Sequence, residues 1–425
     1  MTDTSLYTEL GVFPNGSGTF DVTNATEVTA TRTPTGCVVM CVNATALDTP
    51  TNDVVLSWGI TDFTTIGQIS CTDEDNVSPV TDVSIRHNEV NIIQMLDPGT
   101  TGVDRSATVA AITGGVRFTA STGTRLYRVQ VILIFGTVCK AFSIDGNGGW
   151  LTDETENVAH GMTTEPGAGF YGFNRRDNGG AGSFRWSLGF HAYDGVIKQC
   201  NTTWTSENGA DPSQNTSRTY GDGTFDRVVC GQSAIGGAQD SLELTAIDTT
   251  NVTYTNRDAT HSNKIIGLLL ECEDVKTDIA IINSPTNPAV DWTYAGIGFQ
   301  PQFVSLCVNR NTVVDVSKTD GDAGAGAFVS MDEEGRQHSM AWSMVDNLDL
   351  TSVTTNTSCE LAQELFCPNE TGANSHLMKN PTFNSTGWVF GAADITSANG
   401  TVRKWPMLAI EQLSGASNAP LFSVI

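Results

Sequence analysis

Thr33-Pro34-Thr35-Gly36 runs into Cys37-Val38-Val39-Met40-Cys41-Val42-Asn43. The arrangement returns as Glu165-Pro166-Gly167-Ala168 followed by Gly169-Phe170-Tyr171-Gly172-Phe173-Asn174-Arg175. It returns again as Phe299-Gln300-Pro301-Gln302 followed by Phe303-Val304-Ser305-Leu306-Cys307-Val308-Asn309-Arg310. Each copy is a proline, a short polar step and a β-type run closed by asparagine. A period of about 130 residues marks tandem structural units, and it sets domain count and fold class together.

Other elements follow in constant order. A second strand reads Val54-Val55-Leu56-Ser57-Trp58-Gly59 in copy one and Phe184-Arg185-Trp186-Ser187-Leu188-Gly189-Phe190 in copy two, with a looser Ala327-Phe328-Val329-Ser330-Met331 in copy three. A later alternating strand is read at Val116-Arg117-Phe118-Thr119, Leu242-Glu243-Leu244-Thr245 and Trp388-Val389-Phe390-Gly391. Each unit closes on a basic residue and an apolar run that begins at Arg128, Lys264 or Lys404. Alternation is the common period, threonine is abundant (56), and Gly/Asn/Asp clusters separate the runs, which is the pattern of strands and turns. The weak helix candidate is residues 358–366. The reading is all-β: three tandem β-sandwich (jelly-roll-like) domains at 19–137, 138–273 and 274–414, with an N-terminal arm at 1–18 and a C-terminal tail at 415–425. Units of this length can each bury a core. Their linkers are too short and apolar to act as tethers, so the domains should pack on one another.

Charge is the second signal. There are 47 acidic residues against 22 basic ones, a net charge of −25, and only 7 of the cations are lysines. Such a surface repels nucleic acid and anionic membranes, so neither is an expected partner. Ordinary solubility accounts for it, and so does adaptation to molar salt, where the Debye length falls to about 3 Å and self-repulsion is screened. Met1-Thr2-Asp3-Thr4 opens polar and acidic with no apolar leader core. No apolar run approaches the roughly 18 residues of a membrane span. Leu6, Tyr7, Leu10, Val12 and Phe13 near one end, and Leu421, Phe422, Val424 and Ile425 at the other, read as apolar termini that either dock on another subunit or a shell or fold back onto their own sandwiches.

Chemistry-bearing patterns are sparse. None of the ten cysteines forms a CxxC, so zinc-ribbon and thioredoxin chemistry are not signalled. Cys41 with Cys307, Cys71 with Cys200, and Cys139 with Cys272 read as equivalent core positions, and no disulfide pairing follows from spacing. The eleven Asn-x-Ser/Thr sequons, among them Asn24, Asn43, Asn201, Asn251, Asn356 and Asn399, follow from a composition rich in Asn and Thr, with glycosylation in a secreted or archaeal protein as the other reading. The six histidines share no repeat position, and nucleophile-elbow, P-loop and zincin motifs are missing. Asp73-Glu74-Asp75 and Asp332-Glu333-Glu334 are acidic clusters of the kind a glycosidase uses, yet neighbouring acids are expected among 47. Asp320-Gly321-Asp322 and Asp145-Gly146-Asn147 are fragments of calcium-loop spacing that turns explain equally. Trp150, Trp204, Tyr220 and Trp292 are candidates for stacking on sugars, although such residues more often seal sandwich edges. The reading therefore assigns no catalytic, cofactor-binding or metal residues and no cofactor, structural cations aside.

Copy three carries Gly298-Phe299-Gln300-Pro301-Gln302-Phe303-Val304, Asn309-Arg310, Thr386-Gly387-Trp388-Val389-Phe390, Asn399-Gly400-Thr401 and Leu408-Ala409-Ile410. In this order the chain resembles repeated β-sandwich modules of virion proteins from tailed viruses of bacteria and archaea. Copy two keeps Pro166 and Asn174-Arg175, and copy one keeps Pro34 and Asn43. The resemblance implies a non-enzymatic virion structural protein: a head decoration, a turret or a tail-associated fibre, with host attachment as a further duty. With the acidic, lysine-poor surface it implies a halophilic host. The expected partners are further copies of the chain, other virion proteins and a host-surface glycan or protein. The alternative is a secreted carbohydrate-binding or glycan-cleaving β protein, which a signal peptide would favour.

Overall fold

A computed structural model describes residues 4–411 except 50, 75–82, 99, 101, 147–150, 176–183, 207–214, 222–225, 233–237, 258–262, 319–323, 345–356, 363–364, 369–373 and 399. Unit one contains β1 (Ser5–Val12), β2 (Gly18–Thr23), β3 (Gly36–Val42), β4 (Thr51–Asn52), β5 (Val54–Thr61), β6 (Ile66–Asp73), β7 (Val83–Asn88), β8 (Ile93–Leu96), β9 (Val103–Ile112), β10 (Gly115–Ala120) and β11 (Arg128–Phe135). Unit two contains β12 (Cys139–Gly146), β13 (Thr155–Ala159), β14 (Ala168–Arg175), β15 (Phe184–Tyr193), β16 (Ile197–Ser206), β17 (Asn215–Tyr220), β18 (Val229–Gln232), β19 (Ala238–Ile247), β20 (Asn251–Asn256) and β21 (Asn263–Leu270). Unit three contains β22 (Thr277–Asn283), β23 (Trp292–Tyr294), β24 (Pro301–Asn309), β25 (Gly326–Asp332), β26 (Gln337–Met344), β27 (Thr357–Ala362), β28 (Leu365–Pro368), β29 (Asn374–Met378), β30 (Thr382–Asn384), β31 (Gly387–Phe390), β32 (Ile395–Ser397) and β33 (Lys404–Glu411).

The fold is all-β, and each unit is a sandwich of one topology. The large sheets run β1-β11-β3-β5-β6-β7, β12-β21-β14-β15-β16-β17 and β22-β33-β24-β25-β26-β27. The small sheets run β2-β10-β9-β8 and β13-β20-β19-β18. In unit three the same order is split into β23-β31-β30 and β28-β29-β32, because a 3-10 turn at Ala392–Asp394 interrupts one strand. In every unit the first strand pairs with the last, and in units one and two the second pairs with the last but one. This nesting is the jelly-roll-like feature. Side chains mark the equivalence too. A Cβ on Gly59 would lie 2.0 Å from the Ile92 carbonyl, and one on Gly189 would lie 1.9 Å from that of Val228. Ser57 Oγ accepts the Gln94 N–H at 3.1 Å as Ser187 Oγ accepts that of Cys230 at 3.2 Å.

The large sheets are buried on both faces, which is why their strands read as continuous apolar runs rather than strict alternation. Along β11, Val129, Val131, Leu133 and Phe135 enter the core of unit one, while Ile132 and Ile134 enter a second core. That second core is shared. Ile132, Leu268 and Leu408 occupy one register position in the three closing strands, and Ile134, Leu270 and Ile410 another; all six lie in a single cluster with residues of every unit. Phe170 meets Phe303 at 6.5 Å and Trp204 meets Trp342 at 4.8 Å across the joint of units two and three. The units close head to tail into a ring: strands of unit two pack on β6, strands of unit three on β15 and β16, and β1 on β25. The ring therefore has pseudo-threefold symmetry around an apolar axis.

Close approach between units needs glycine at Gly172, where a Cβ would sit 2.5 Å from the Trp58 ring. Gly172→Val is expected to cost about 1–3 kcal/mol by overpacking. Denaturant unfolding checks this, and a midpoint equal to wild type would mean the joint is looser than described.

Several expectations are corrected. Residues 5–12 of the expected arm are instead strand β1, which pairs along its whole length with β11; Leu6 enters the axial core and Tyr7 the core of unit one. The described residues of 358–366 fall on β27 and β28, because pairing with β26 and β29 overrides the local helical pattern. The strand of unit two equivalent to β10 is β20, which pairs with β13 as β10 pairs with β2; Leu242-Glu243-Leu244-Thr245 lies in the neighbouring β19. Both arms of that hairpin alternate, so alternation could not separate them. The cysteine pairs are not register-equivalent: Cys71 faces Leu56 whereas Cys200 faces Phe190. Among the described residues Cys37, Cys139, Cys200, Cys272 and Cys307 form no disulfide. The tail at 415–425 lies outside the described residues.

Candidate functional site

The seams between units are built from a repeated device. Asp62 closes the hairpin after β5: Oδ1 accepts the N–H groups of Thr64 and Thr65, and Oδ2 accepts the N–H of Ala141 on the edge strand β12 at 3.1 Å. Asp332 does the same one unit away. Its Oδ1 accepts from Glu334 and Arg336, and its Oδ2 accepts the N–H of Thr8 on β1 at 3.0 Å. Each carboxylate thus organises a turn and caps a neighbour's sheet edge, where an unpaired N–H would invite pairing with other chains. In unit two this position is Ala192, and the corresponding N–H, that of Ile279, turns to its own neighbour Asp278, which Lys198 holds at 2.7 Å.

The asparagines that end the repeated runs mark the opposite end of the ring. Asn174 donates to the Arg86 carbonyl of unit one at 2.7 Å, and Asn309 donates to Thr202 and Thr219 of unit two. Asn43 lies one register position further on and donates to Asn52 in β4, which joins the edge of unit three beside β27. Residues 315–318 of unit three likewise pair with β17. Sheet edges are therefore covered by connections from neighbouring units.

The seam between units one and three has no peptide linker and carries the densest charge. Arg336 reaches Glu9 at 3.2 Å and also contacts Glu334, and Asn24 donates to both carboxylates at 3.2 Å. Arg32 pairs with the buried Glu27 at 3.1 Å. Burial pushes the carboxyls of Glu9 and Glu27 upward and that of Asp332 up to about 7, against the donors that favour their charged forms. This is where the Asp332-Glu333-Glu334 cluster falls: a joint, with no paired carboxylates facing an open cleft.

The other sequence candidates scatter. Asp73 is buried on β6. Asp75, Asn147, Trp150, His261 and Asp320-Gly321-Asp322 lie outside the described residues. Trp204 and Tyr220 are sealed in the interior, and Trp292 is the described aromatic candidate that borders a surface cleft. Asn24, Asn43 and Asn201 are buried, so their sequons are closed to glycosylation in the fold, and Asn24 instead caps the short helix α1 (Ala25–Thr29). His191 sits in a buried chain with Tyr171 and Tyr254, and His376 contacts the Pro285 carbonyl. Burial holds His191, His338 and His376 down to about 4. As pH falls from about 6.5 toward 4 the unfolded chain takes up protons at these sites and the folded chain does not, so stability is lost in that window. The wild type should lose stability there faster than His191→Gln does, by thermal melts across pH; parallel curves would mean that His191 is charged in the fold.

Among the described residues three cavities stand out. One of about 670 Å³ lies where Thr4, residues 136–138 and residues 271–274 meet, with Asp274 accepting from Thr4 and Glu271 from Thr163 and Thr164. One of about 290 Å³ is bordered by Arg310, Lys318 and Arg403. The third, about 580 Å³, opens beside β22 and β23 at the loop end of unit three. Among the described residues no group of three or more His, Cys, Asp or Glu could hold a metal ion, and no helix is long and apolar enough to cross a membrane. No protein-family model matches the chain, and no curated protein matches it. The class the geometry defines is a closed ring of three interlocked β-sandwiches.

Proposed function

We propose that this chain is a non-catalytic virion surface protein, a head decoration or turret component seated on a threefold position of a viral shell. The observation that carries the reading is the head-to-tail ring around one axial core. A single chain thereby offers three similar faces, the geometry needed to match a threefold partner. The ring is also polar. Residue Thr4, the linkers at 136–138 and 271–276, and the end of β33 lie at one end; the strand ends Val42, Arg175 and Asn309, from which the long connections start, lie at the other. Short linkers suit a base that docks, and long connections on rigid sandwiches suit display and host attachment. Mass spectrometry of purified particles, with heads separated from tails, tests the proposal. Recovery with the heads supports it, and absence from the particle sinks it.

A halophilic host belongs to the same reading. With a net charge of −25, self-repulsion is strong at low ionic strength and screened at high. The melting temperature is expected to rise between roughly 0.1 M and 2 M KCl. A flat or falling curve would remove the support for salt adaptation.

A further inference from the structure

We propose that the cleft beside β22 and β23 is a saccharide site that takes one neutral hexopyranose residue. A pyranose offers an apolar C–H face and a rim of hydroxyls, so its site needs a carbon wall and a few fixed polar groups. The cleft supplies both in about 580 Å³. Trp292 and Tyr294, two apart on β23, share a face and pack against Trp388 at 4.5 and 5.7 Å. Trp292 is 9% exposed, with Phe390 stacked on it at 5.5 Å and its indole N–H committed to the Asn283 carbonyl at 2.9 Å, so it gives the cleft a carbon edge beside the half-buried ring of Tyr294. Val290 and Val402, 57% and 38% exposed, extend that surface outward.

The polar groups are placed by neighbouring structure. One oxygen of Asp291 accepts the Ala392 N–H at 2.8 Å, and a carboxylate has further lone pairs for a pair of sugar hydroxyls. Asn287 accepts the Ala289 N–H at 2.9 Å through its oxygen, which turns its amide N–H₂ into the available donor. Among the described residues no Lys, Arg or His lines the cleft, the nearby Lys404 ammonium is engaged by Asn283 at 2.7 Å, and a carboxylate stands in the cleft, so the ligand is a neutral sugar and not an anionic one. Strand addition by a peptide is disfavoured because β23 offers an edge of only three residues.

The departure from pseudo-symmetry points to the same place. In units one and two, β10 and β20 run unbroken, whereas unit three interrupts that strand with Ala392–Asp394. The inserted turn supplies the N–H that fixes Asp291. The cleft also opens at the end of the ring from which the long connections leave. The site stands independently of the virion reading, since it is assayed on the isolated chain.

The test is saturation-transfer NMR of the purified full chain with D-glucose, D-galactose, D-mannose and N-acetyl-D-glucosamine, each titrated to saturation. At least one sugar should show saturable transfer, strongest on its ring C–H protons. Asp291→Ala should weaken that sugar by about tenfold or more, as loss of a charge-assisted hydrogen bond does. Val290→Lys, a change at an exposed position, should block the cleft while the melting temperature stays at wild type, which covers the case in which Asp291→Ala disturbs the turn. No transfer from any of the four sugars overturns the proposal. So does transfer that persists unchanged in both variants, because the sugar would then sit elsewhere.

Discussion

Residues 138–273 expressed alone are expected to be molten or insoluble, although they hold a complete ten-strand sandwich. Unit two has two cores. Tyr171, Phe173, Leu244 and Tyr254 lie between its own sheets, while Phe170, Trp186, Leu188, Trp204, Ile266, Leu268 and Leu270 face the axis and meet units one and three. Isolation exposes the second set on one sheet face. Each such side chain returned to water forfeits about 1.5–3 kcal/mol, and domains have only about 5–15 kcal/mol to lose. For the same reason the full chain should melt in one transition. Leu268→Ala should cost about 2–5 kcal/mol and move that single transition without splitting it. Calorimetry with matching van't Hoff and calorimetric enthalpies checks cooperativity. Three resolved transitions, or a dispersed NMR spectrum from residues 138–273, would show that the axial core is not a shared folding unit.

Opening of the ring is expected at the seam between units one and three. Deleting residues 1–12 should unfold unit one instead of merely weakening assembly, because β1 is the edge strand of its large sheet and carries Leu6 to the axis. A milder probe is Asp332→Ala. It leaves the Thr8 N–H buried without its acceptor, at about 1–3 kcal/mol. No linker restrains this seam, so the loss should appear as faster hydrogen exchange at Thr8, with β14 and β15 still protected. The seam also carries a pH slope. The Asp332 carboxyl is raised to about 7 by burial, so the folded seam holds a proton more tightly than the unfolded chain. Its contribution is complete in acid and declines as pH rises through 7. Protection at Thr8, corrected for intrinsic exchange, should fall over that range in wild type and not in Asp332→Ala. Equal slopes in the two proteins would place the pH dependence elsewhere.

Much of the fold was legible in the residues. The Pro-strand-Asn copies gave the repeat, and the runs after Arg128, Lys264 and Lys404 are the closing strands β11, β21 and β33. The misreadings have a common cause. The apolar residues near the N-terminus look like an arm because their partner strand lies more than 100 positions away. Leu242-Glu243-Leu244-Thr245 reads as the counterpart of β10 because both arms of its hairpin alternate. The seam device at Asp62 and Asp332 left only a hairpin aspartate as its trace, and the candidate cleft left only Trp292.

By itself the sequence determines that the chain is all-β, that it repeats three times and that its surface is acidic, because period, turn residues and charge are local properties. It also places the apolar runs. It does not determine where each run's two faces go. Along Val129, Gln130, Val131, Ile132, Leu133 and Ile134, successive side chains point to opposite sides of a sheet. Whether the second side meets water or another unit depends on contacts far away in the chain. Only the tertiary structure decides that Ile132, Leu268 and Leu408 meet on one axis, because burying both faces of three sheets at once requires the ring to close.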